Sequence, residues 1–261
     1  MAKKEPLFAE ERKMKILEIL NKNSKIVVPE LCEYFGVSPA TIRNDLRELE
    51  DSGLLKRTHG GAIKNIKARH ELDTLQKQVK NLAEKQAIAK RAIELVEDGD
   101  TIAIDTGTTT LEFAKLLTSK EQITVVVNDV KIASYLEYNT NASIILIGGL
   151  IRRHYNCTVG HMATDALKGL NVDKAFMATN GISIKRGLTT PDMGQAEVKK
   201  AMMDIASEII VLCDSTKIEN MAFVQFATID RVDRLITDNQ IDDRDLNEFK
   251  ILGIEMDLVE V

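Results

Sequence analysis

The first sixty residues change hydrophobic period in short blocks. Over residues 11–20 the apolar side chains Met14, Ile16, Leu17 and Leu20 recur at helical spacing, which predicts a helix with one packing face. Val27 and Val28 make a short extended link, and Pro29 opens a second helix at the position where its missing N–H costs least. Leu31 and Phe35 give that helix a buried side, and the chain turns at Gly36-Val37. Ser38 is a good N-cap with Pro39 at the first helical position, and Ile42, Leu46 and Leu49 at i, i+4 and i+7 define the inward stripe of a third helix. Leu54 to Ala62 alternates and then turns at Gly60-Gly61, which predicts a two-stranded hairpin. Helix, turn, helix and basic hairpin in that order describe a winged helix-turn-helix.

Residues 64–78 are charged and lack a core-forming period, so they read as a hinge or an exposed helix. Helical periodicity returns from Leu82 to Val96, with Ile88, Ala92 and Val96 on one side, and Asp98-Gly99-Asp100 ends it. Beyond it short apolar strands alternate with segments mostly long enough for crossover helices. The strands are expected at residues 101–105, 123–127, 143–147, 174–178, 208–213 and 234–236, with a further edge strand at 255–259. The expected organisation is a DNA-binding domain over residues 1–66, a linker over 67–81 and a largely parallel α/β domain over 82–261.

Composition adds three constraints. At 261 residues and 44% hydrophobic content the chain is long enough for a small and a large core. The net charge of -5 is segregated: residues 1–70 carry fourteen Lys and Arg against ten Asp and Glu, so the remainder is strongly acidic. That split suits an amino-terminal part that meets phosphates. Cys32, Cys157 and Cys213 lie far apart without metal-ligand spacing, so neither a disulfide nor a metal site is expected. No apolar run approaches membrane-spanning length and the amino terminus is charged, so a cytoplasmic protein without a membrane partner is expected.

Once the inward stripe is subtracted, Ala40, Thr41, Arg43, Asn44, Arg47 and Glu48 face away from the core on the third helix. Arg pairs with guanine, Asn with adenine, and a small Ala or Thr touches a thymine methyl, so this face suits base reading. Ser38, Pro39 and the free N–H groups at the helix start suit a phosphate. Lys56 and Arg57 can lie along the DNA backbone, with His59, Gly60 and Gly61 at a tip that approaches closely.

In a parallel sheet, ligands sit beyond the carboxyl ends of the strands. Those ends are polar here: Asp105-Thr106-Gly107-Thr108-Thr109-Thr110, Asn128-Asp129, Gly148-Gly149, Thr179-Asn180-Gly181 and Asp214-Ser215-Thr216-Lys217. A strand ending in an acid, then Gly107 and three threonines opening an apolar helix, fits a phosphate or a carboxylate. The Gly and Lys spacing of a nucleotide P-loop and the dinucleotide fingerprint are both missing, which leaves a small phosphorylated ligand and no expected cofactor. Lys217 can supply a positive charge to it.

The blocks Glu30-Leu31, Phe35-Gly36-Val37-Ser38, Thr41-Ile42-Arg43-Asn44-Asp45-Leu46 and His59-Gly60-Gly61-Ala62 resemble the signature of the DeoR family of bacterial transcriptional regulators. Asp105 to Thr110, Gly148-Gly149, Ala175-Phe176, Gly187-Leu188-Thr189, Asp214 to Lys217 and Ile236-Thr237-Asp238 are similar to that family's sensor domain. The resemblance implies a sensor with the fold of ribose-5-phosphate isomerase, a phosphorylated sugar effector, double-stranded operator DNA as partner, and repression relieved by the sugar. It further implies that Gly107, Thr108, Thr109 and Thr110 hold the phosphate, that Lys217 reaches it, and that Asp105, Asn128, Asn180 and Gly181 lie near the sugar, with Arg152 covering the pocket. A homodimer or homotetramer is expected because one winged head touches only a short site.

Two departures matter. The family commonly has a second Arg where Asn44 stands, so its operator preference does not carry over, and it often has Glu where this chain has Gln195. The competing reading is an isomerase-like enzyme with a DNA-binding appendage. Sugar isomerisation needs a carboxylate base, and the loop Thr179-Asn180-Gly181-Ile182, where related isomerases place acids, has none. No catalytic residue is assigned.

Overall fold

The computed structural model describes residues 8–23, 25–51, 54–64, 71 and 74–261. The chain divides into two units, residues 1–70 and 71–261. Much of the expected linker, residues 67–70, 72 and 73, lies outside the described residues.

The first unit runs α1 (Ala9–Asn23), β1 (Lys25–Val27), α2 (Val28–Phe35), α3 (Pro39–Asp51), β2 (Leu55–Thr58) and β3 (Gly61–Lys64). Ile42, Leu46 and Leu49 of α3 are buried with Ile16 and Leu20 of α1 and Val28 and Leu31 of α2, so the helical stripes do meet in one core. Gly36 ends α2 in the left-handed region at φ 67°, where its N–H reaches the Cys32 carbonyl at 2.9 Å.

Three expectations need correction. Met14 is 66% exposed, because the buried face of α1 steps Arg12, Ile16, Leu20 and Met14 lies on the other side. The wing is three-stranded: β1 joins the hairpin in the order β1-β3-β2, all antiparallel. Gly61 therefore serves packing and not the tip. A Cβ there would stand 1.9 Å from the Ile26 carbonyl oxygen, whereas Gly60 meets open space.

In the second unit the elements are α4 (Thr74–Val79), α5 (Leu82–Ile93), β4 (Thr101–Ile104), α6 (Thr108–Ala114), β5 (Thr124–Val127), α7 (Val130–Asn139) and β6 (Ser143–Leu146). Then follow β7 (Leu150–Arg152), β8 (Cys157–Val159), α8 (His161–Leu167), β9 (Val172–Ala178), β10 (Gly181–Ser183), β11 (Gly187–Thr190) and α9 (Met193–Asp204). The unit closes with β12 (Ala206–Leu212), β13 (Val224–Ala227), β14 (Arg234–Asp238), α10 (Asp243–Ile251) and β15 (Glu255–Val259).

A seven-stranded sheet forms among the described residues in the order β15-β14-β12-β9-β4-β5-β6, every pair parallel. Both faces are covered, which is why its strands read as apolar runs without alternation. Ile102, Ile104, Val125, Val127 and Phe176 face the side of α5, α6 and α7, while Ala103, Val126, Ala175 and Met177 face α8 and α9. The chain lays down β4, β5 and β6 outward in one direction, then returns to place β9 on the other side of β4. The order thus reverses between β4 and β9, and crevices at such points take ligands in open α/β sheets.

The sequence pattern missed the β7–β8 hairpin and a small antiparallel sheet, β10-β11-β13. Their strands are too short for a period to register.

Arg12 and Asp45 join α1 to α3 inside the first unit. The guanidinium meets the carboxylate twice, Nε to Oδ2 at 2.6 Å and Nη2 to Oδ1 at 3.0 Å, and both residues are buried. Replacing Asp45 by Ala removes both of these contacts from a buried guanidinium, and urea unfolding followed on the first unit is expected to show a loss of about 3 kcal/mol. A loss below about 1 kcal/mol, as for exposed pairs, would show that the pair does not hold α3 in place.

Candidate functional site

In the first unit, the start of α3 is built by Ser38, whose Oγ accepts from the Thr41 N–H at 3.2 Å and lies 2.9 Å from the Thr41 hydroxyl. Pro39, Ala40, Arg43, Asn44 and Arg47 are exposed and Thr41 is half-buried, so the structure brings the expected reading residues onto one outer face. Among the described residues neither Arg43 nor Arg47 has an ion pair. Glu48 on the same helix is paired with Lys13 at 2.8 Å, which offsets the acid nearest that face.

On the wing, Lys56, His59 and Gly60 are exposed. Arg57 is half-buried and held by Glu50, which accepts its backbone N–H at 2.8 Å and stands 3.9 Å from its Nε. A cleft of about 320 Å³ separates wing from helix, lined by Pro39, Arg43, Arg57, His59 and Gly60. Two arginines on opposite walls suit a phosphodiester backbone, with the exposed face of α3 free to enter a major groove.

In the second unit the strand ends meet at the reversal point. Asp105, just past β4, is fully buried, accepts the Ala178 N–H at 3.0 Å through Oδ2 and pairs on the same oxygen with Lys199. Lys199 is 1% exposed and also donates to the Ala178 carbonyl at 2.9 Å. Burial raises the Asp105 pKa against the opposing pull of Lys199. Its Oδ1 has no hydrogen-bond partner among the described residues, nor has Asn128 Nδ2, while Asn128 Oδ1 accepts the Thr106 N–H at 3.1 Å.

Gly107 precedes α6. A Cβ there would lie 2.8 Å from that of Ala178, so only glycine lets the turn pass beneath β9. Thr108, Thr109 and Thr110 are buried, and the Thr110 hydroxyl donates to the Gly107 carbonyl at 3.0 Å, so that hydroxyl braces the turn. Gly149, at φ 149°, passes close to the Val159 carbonyl, whereas Gly148 is exposed. Gly181 lies against the Asn220 backbone, and the Asn180 Oδ1 accepts the Thr190 hydroxyl at 3.2 Å.

The residues that sequence reasoning missed are cations. Lys85 of α5 donates through Nζ to the Lys77 and Lys80 carbonyls, closing the turn between α4 and α5. Burial pushes the Lys85 pKa down to about 8. Lys80 is also depressed, by partial desolvation and then by the charge of Lys217. Lys77 is lowered by burial first, with Lys217 and Lys199 adding to it against the pull of Glu71.

Asp214 sits among these groups, accepting from Asn81 at 3.0 Å and lying 3.6 Å from Lys217. Burial alone would raise its pKa, but Lys217, Thr216 and Asn81 outweigh that and hold it below the usual range. Both α4 and α5 pack against α6, so the helices that carry Lys77 and Lys85 flank the helix that follows Gly107.

One signal was available in the sequence. Lys199 occupies a position between Ala196, Val198, Met202 and Met203, all on the buried side of α9. A charge on an apolar face marks a buried pair. Cys157 and Cys213 are buried thiols whose pKa values burial raises, the first to about 12. Among the described residues no group of His, Cys, Asp and Glu is arranged to hold a metal, and no helix is long and apolar enough to cross a membrane.

Residues 12–67 match the DeoR-like helix-turn-helix domain and residues 80–239 the DeoR C terminal sensor domain. The HTH-type transcriptional regulator GlpR of Haloferax volcanii is 37% identical over 244 residues, covering 94% of this chain and 95% of that protein. The HTH-type transcriptional regulator GolR of Listeria innocua is 33% identical over 255 residues, covering 97% and 100%. A putative aga operon transcriptional repressor of Escherichia coli O157:H7 is 30% identical, covering 95% of this chain and 93% of its own. Among solved structures, a D-ribose-5-phosphate isomerase in complex with phospho-erythronic acid aligns over 51% of this chain and 52% of its own, with TM-score 0.39 and 21% identity. With both domains matched in order and relatives similar over nearly their whole length, the chain belongs to the DeoR family of transcriptional regulators.

Proposed function

We propose that the chain is an operator-binding repressor of carbohydrate-metabolism genes, released from DNA by a phosphorylated sugar. The observation that carries this reading is the convergence of Lys80, Lys85 and Lys217: Lys85 bonds to the Lys80 carbonyl, Asn81 and Lys217 meet on Asp214, and α5 packs against α6, the helix that follows Gly107. Burial lowers the pKa values of Lys80 and Lys85, with the charge of Lys217 adding to it, so an anion placed among them relieves a standing cost. Phosphate supplies that charge and Gly107 lets it approach the backbone.

The remaining strand-end groups then face the sugar. Asp105 Oδ1 and Asn128 Nδ2 retain an acceptor and a donor for a hydroxyl. The reading assigns Asn180, Gly181, Gly148-Gly149 and Arg152, which is paired with Glu71, to the surroundings of the sugar. That the relatives include an aga operon repressor supports carbohydrate genes as the target and repression as the sign.

Regulation is favoured over catalysis by how the acids are held. Asp105 is paired with Lys199, Glu71 with Lys77 and Arg152, and Asp214 with Lys217, while Glu197 is exposed. A general base needs a carboxylate poised toward the substrate carbon; the first three are neutralised by cations, and Asp129 is occupied by the Thr106 hydroxyl and the Lys131 and Ile132 N–H groups. We further propose a homodimer or homotetramer, so that paired heads span two half-sites. The β6 edge supports this by leaving Ile145 and Leu146 exposed.

Two measurements test the reading. Replacing Arg43 or Arg47 by Ala is expected to weaken operator binding by about 1 to 3 kcal/mol while sensor anion binding is unchanged. Unaltered operator affinity in both variants would show that the exposed face of α3 does not read DNA. For the sensor, sulfate is the useful probe because it does not titrate near neutrality. Lys85 discharges as pH rises through about 8, so sulfate affinity measured by calorimetry is expected to fall between pH 7 and pH 9, with proton uptake on binding near pH 8. Affinity that is flat over that interval would remove Lys85 and its turn from the site.

A further inference from the structure

Glu71 is the first residue of the second unit and follows His70 of the first. Its carboxylate is 3% exposed and held from several directions. Lys77 Nζ donates to Oε1 at 2.6 Å, Asn180 Nδ2 to the same oxygen at 3.2 Å, and Arg152 Nη1 to Oε2 at 2.7 Å. Arg152 also stacks over the Tyr155 ring at 3.7 Å and stands 3.5 Å from Asp192. The Tyr155 hydroxyl donates to the Glu71 carbonyl at 3.2 Å, and the Thr74 N–H and hydroxyl both donate to the His154 carbonyl, at 3.2 and 2.8 Å. The start of the sensor chain is thus fastened to the turn between β7 and β8.

A guanidinium, an ammonium and a carboxamide N–H converging on one carboxylate form a recognition set for an oxyanion. The set lies at the strand ends, since Asn180 stands two residues past Ala178, whose N–H Asp105 accepts. A neutral sugar hydroxyl cannot replace Glu71 there, because two partly buried cations would lose their counter-ion. A second acidic group can.

We infer that Arg152, Lys77 and Asn180 form a second anion subsite which the chain's own Glu71 fills in the absence of effector, and which an effector takes over with a carboxylate or second phosphate. This rests on the phosphate reading of the neighbouring cradle, and it narrows the effector to a phosphorylated sugar derivative with an acid at its far end. Displacing Glu71 also loosens the contacts of Glu71 and Thr74 with the β7–β8 turn, where the sensor chain begins. Ligand capture and release of those contacts become one event.

Inorganic phosphate tests the subsite on the full-length chain. The native protein is expected to take up one phosphate, at the cradle, and the Glu71→Ala protein two. Adding Arg152→Gln to Glu71→Ala abolishes the second. Glu71→Gln, which keeps the side-chain volume, gives an intermediate result because a neutral amide competes poorly for the cations. In the same Glu71→Ala protein the Thr74 N–H is expected to exchange several-fold faster than in the native chain, with no ligand present. One phosphate in both proteins together with unchanged Thr74 exchange overturns the inference and leaves the cradle standing. None in the native protein and one in Glu71→Ala overturns the cradle and leaves the subsite.

Discussion

Asp105 and Lys199 meet where the sheet reverses its order, and most of the sensor is arranged around that meeting. The reversal between β4 and β9 opens a crevice at the carboxyl ends of both strands, and a carboxylate fixed there by an ammonium and by the Ala178 N–H sets its floor. Gly107 passes beneath β9 only because it has no side chain, and α6 follows at once with its threonines buried. The Lys85 bonds fix the α4–α5 turn, which carries further cations. Asp105 and Asp214 are each paired with a cation, and Asp129 is held by the Thr106 hydroxyl and the Lys131 and Ile132 N–H groups.

The reader follows a separate logic. Its outer face carries Arg43 and Arg47, which have no ion pair among the described residues, while Arg12 with Asp45 and Lys13 with Glu48 fasten α1 to α3. A buried pair of this kind contributes little as attraction alone and much as orientation, because either partner left unmatched is costly. It fixes how the base-reading side chains project.

How far the sequence was legible follows from what period can report. Ile42, Leu46 and Leu49 announced α3, and the apolar runs of β4, β5, β9 and β12 announced a sheet covered on both faces, because burial of a whole element imposes a repeat. Strands of three residues such as β7, β8 and β10 impose none, and Gly61 was misread because its constraint comes from β1 across the sheet. Of the candidate site, Asp105, Gly107 and Lys217 were legible from their places at strand ends. Glu71, Lys77, Lys80 and Lys85 were not. They precede the first sensor strand in a charged stretch, and only the tertiary fold brings them to the crevice.

A DNA reader and a sensor make a switch only if the two ligands compete through the protein. An effector moves the balance solely through unequal affinity for the DNA-competent and DNA-incompetent states. The most direct test is the operator affinity of the full-length chain with and without a saturating phosphorylated sugar that binds the sensor. The account predicts that the sugar lowers operator affinity by about 5- to 150-fold and that operator DNA lowers sugar affinity by the same factor. Operator affinity unchanged by every sugar that binds would contradict it.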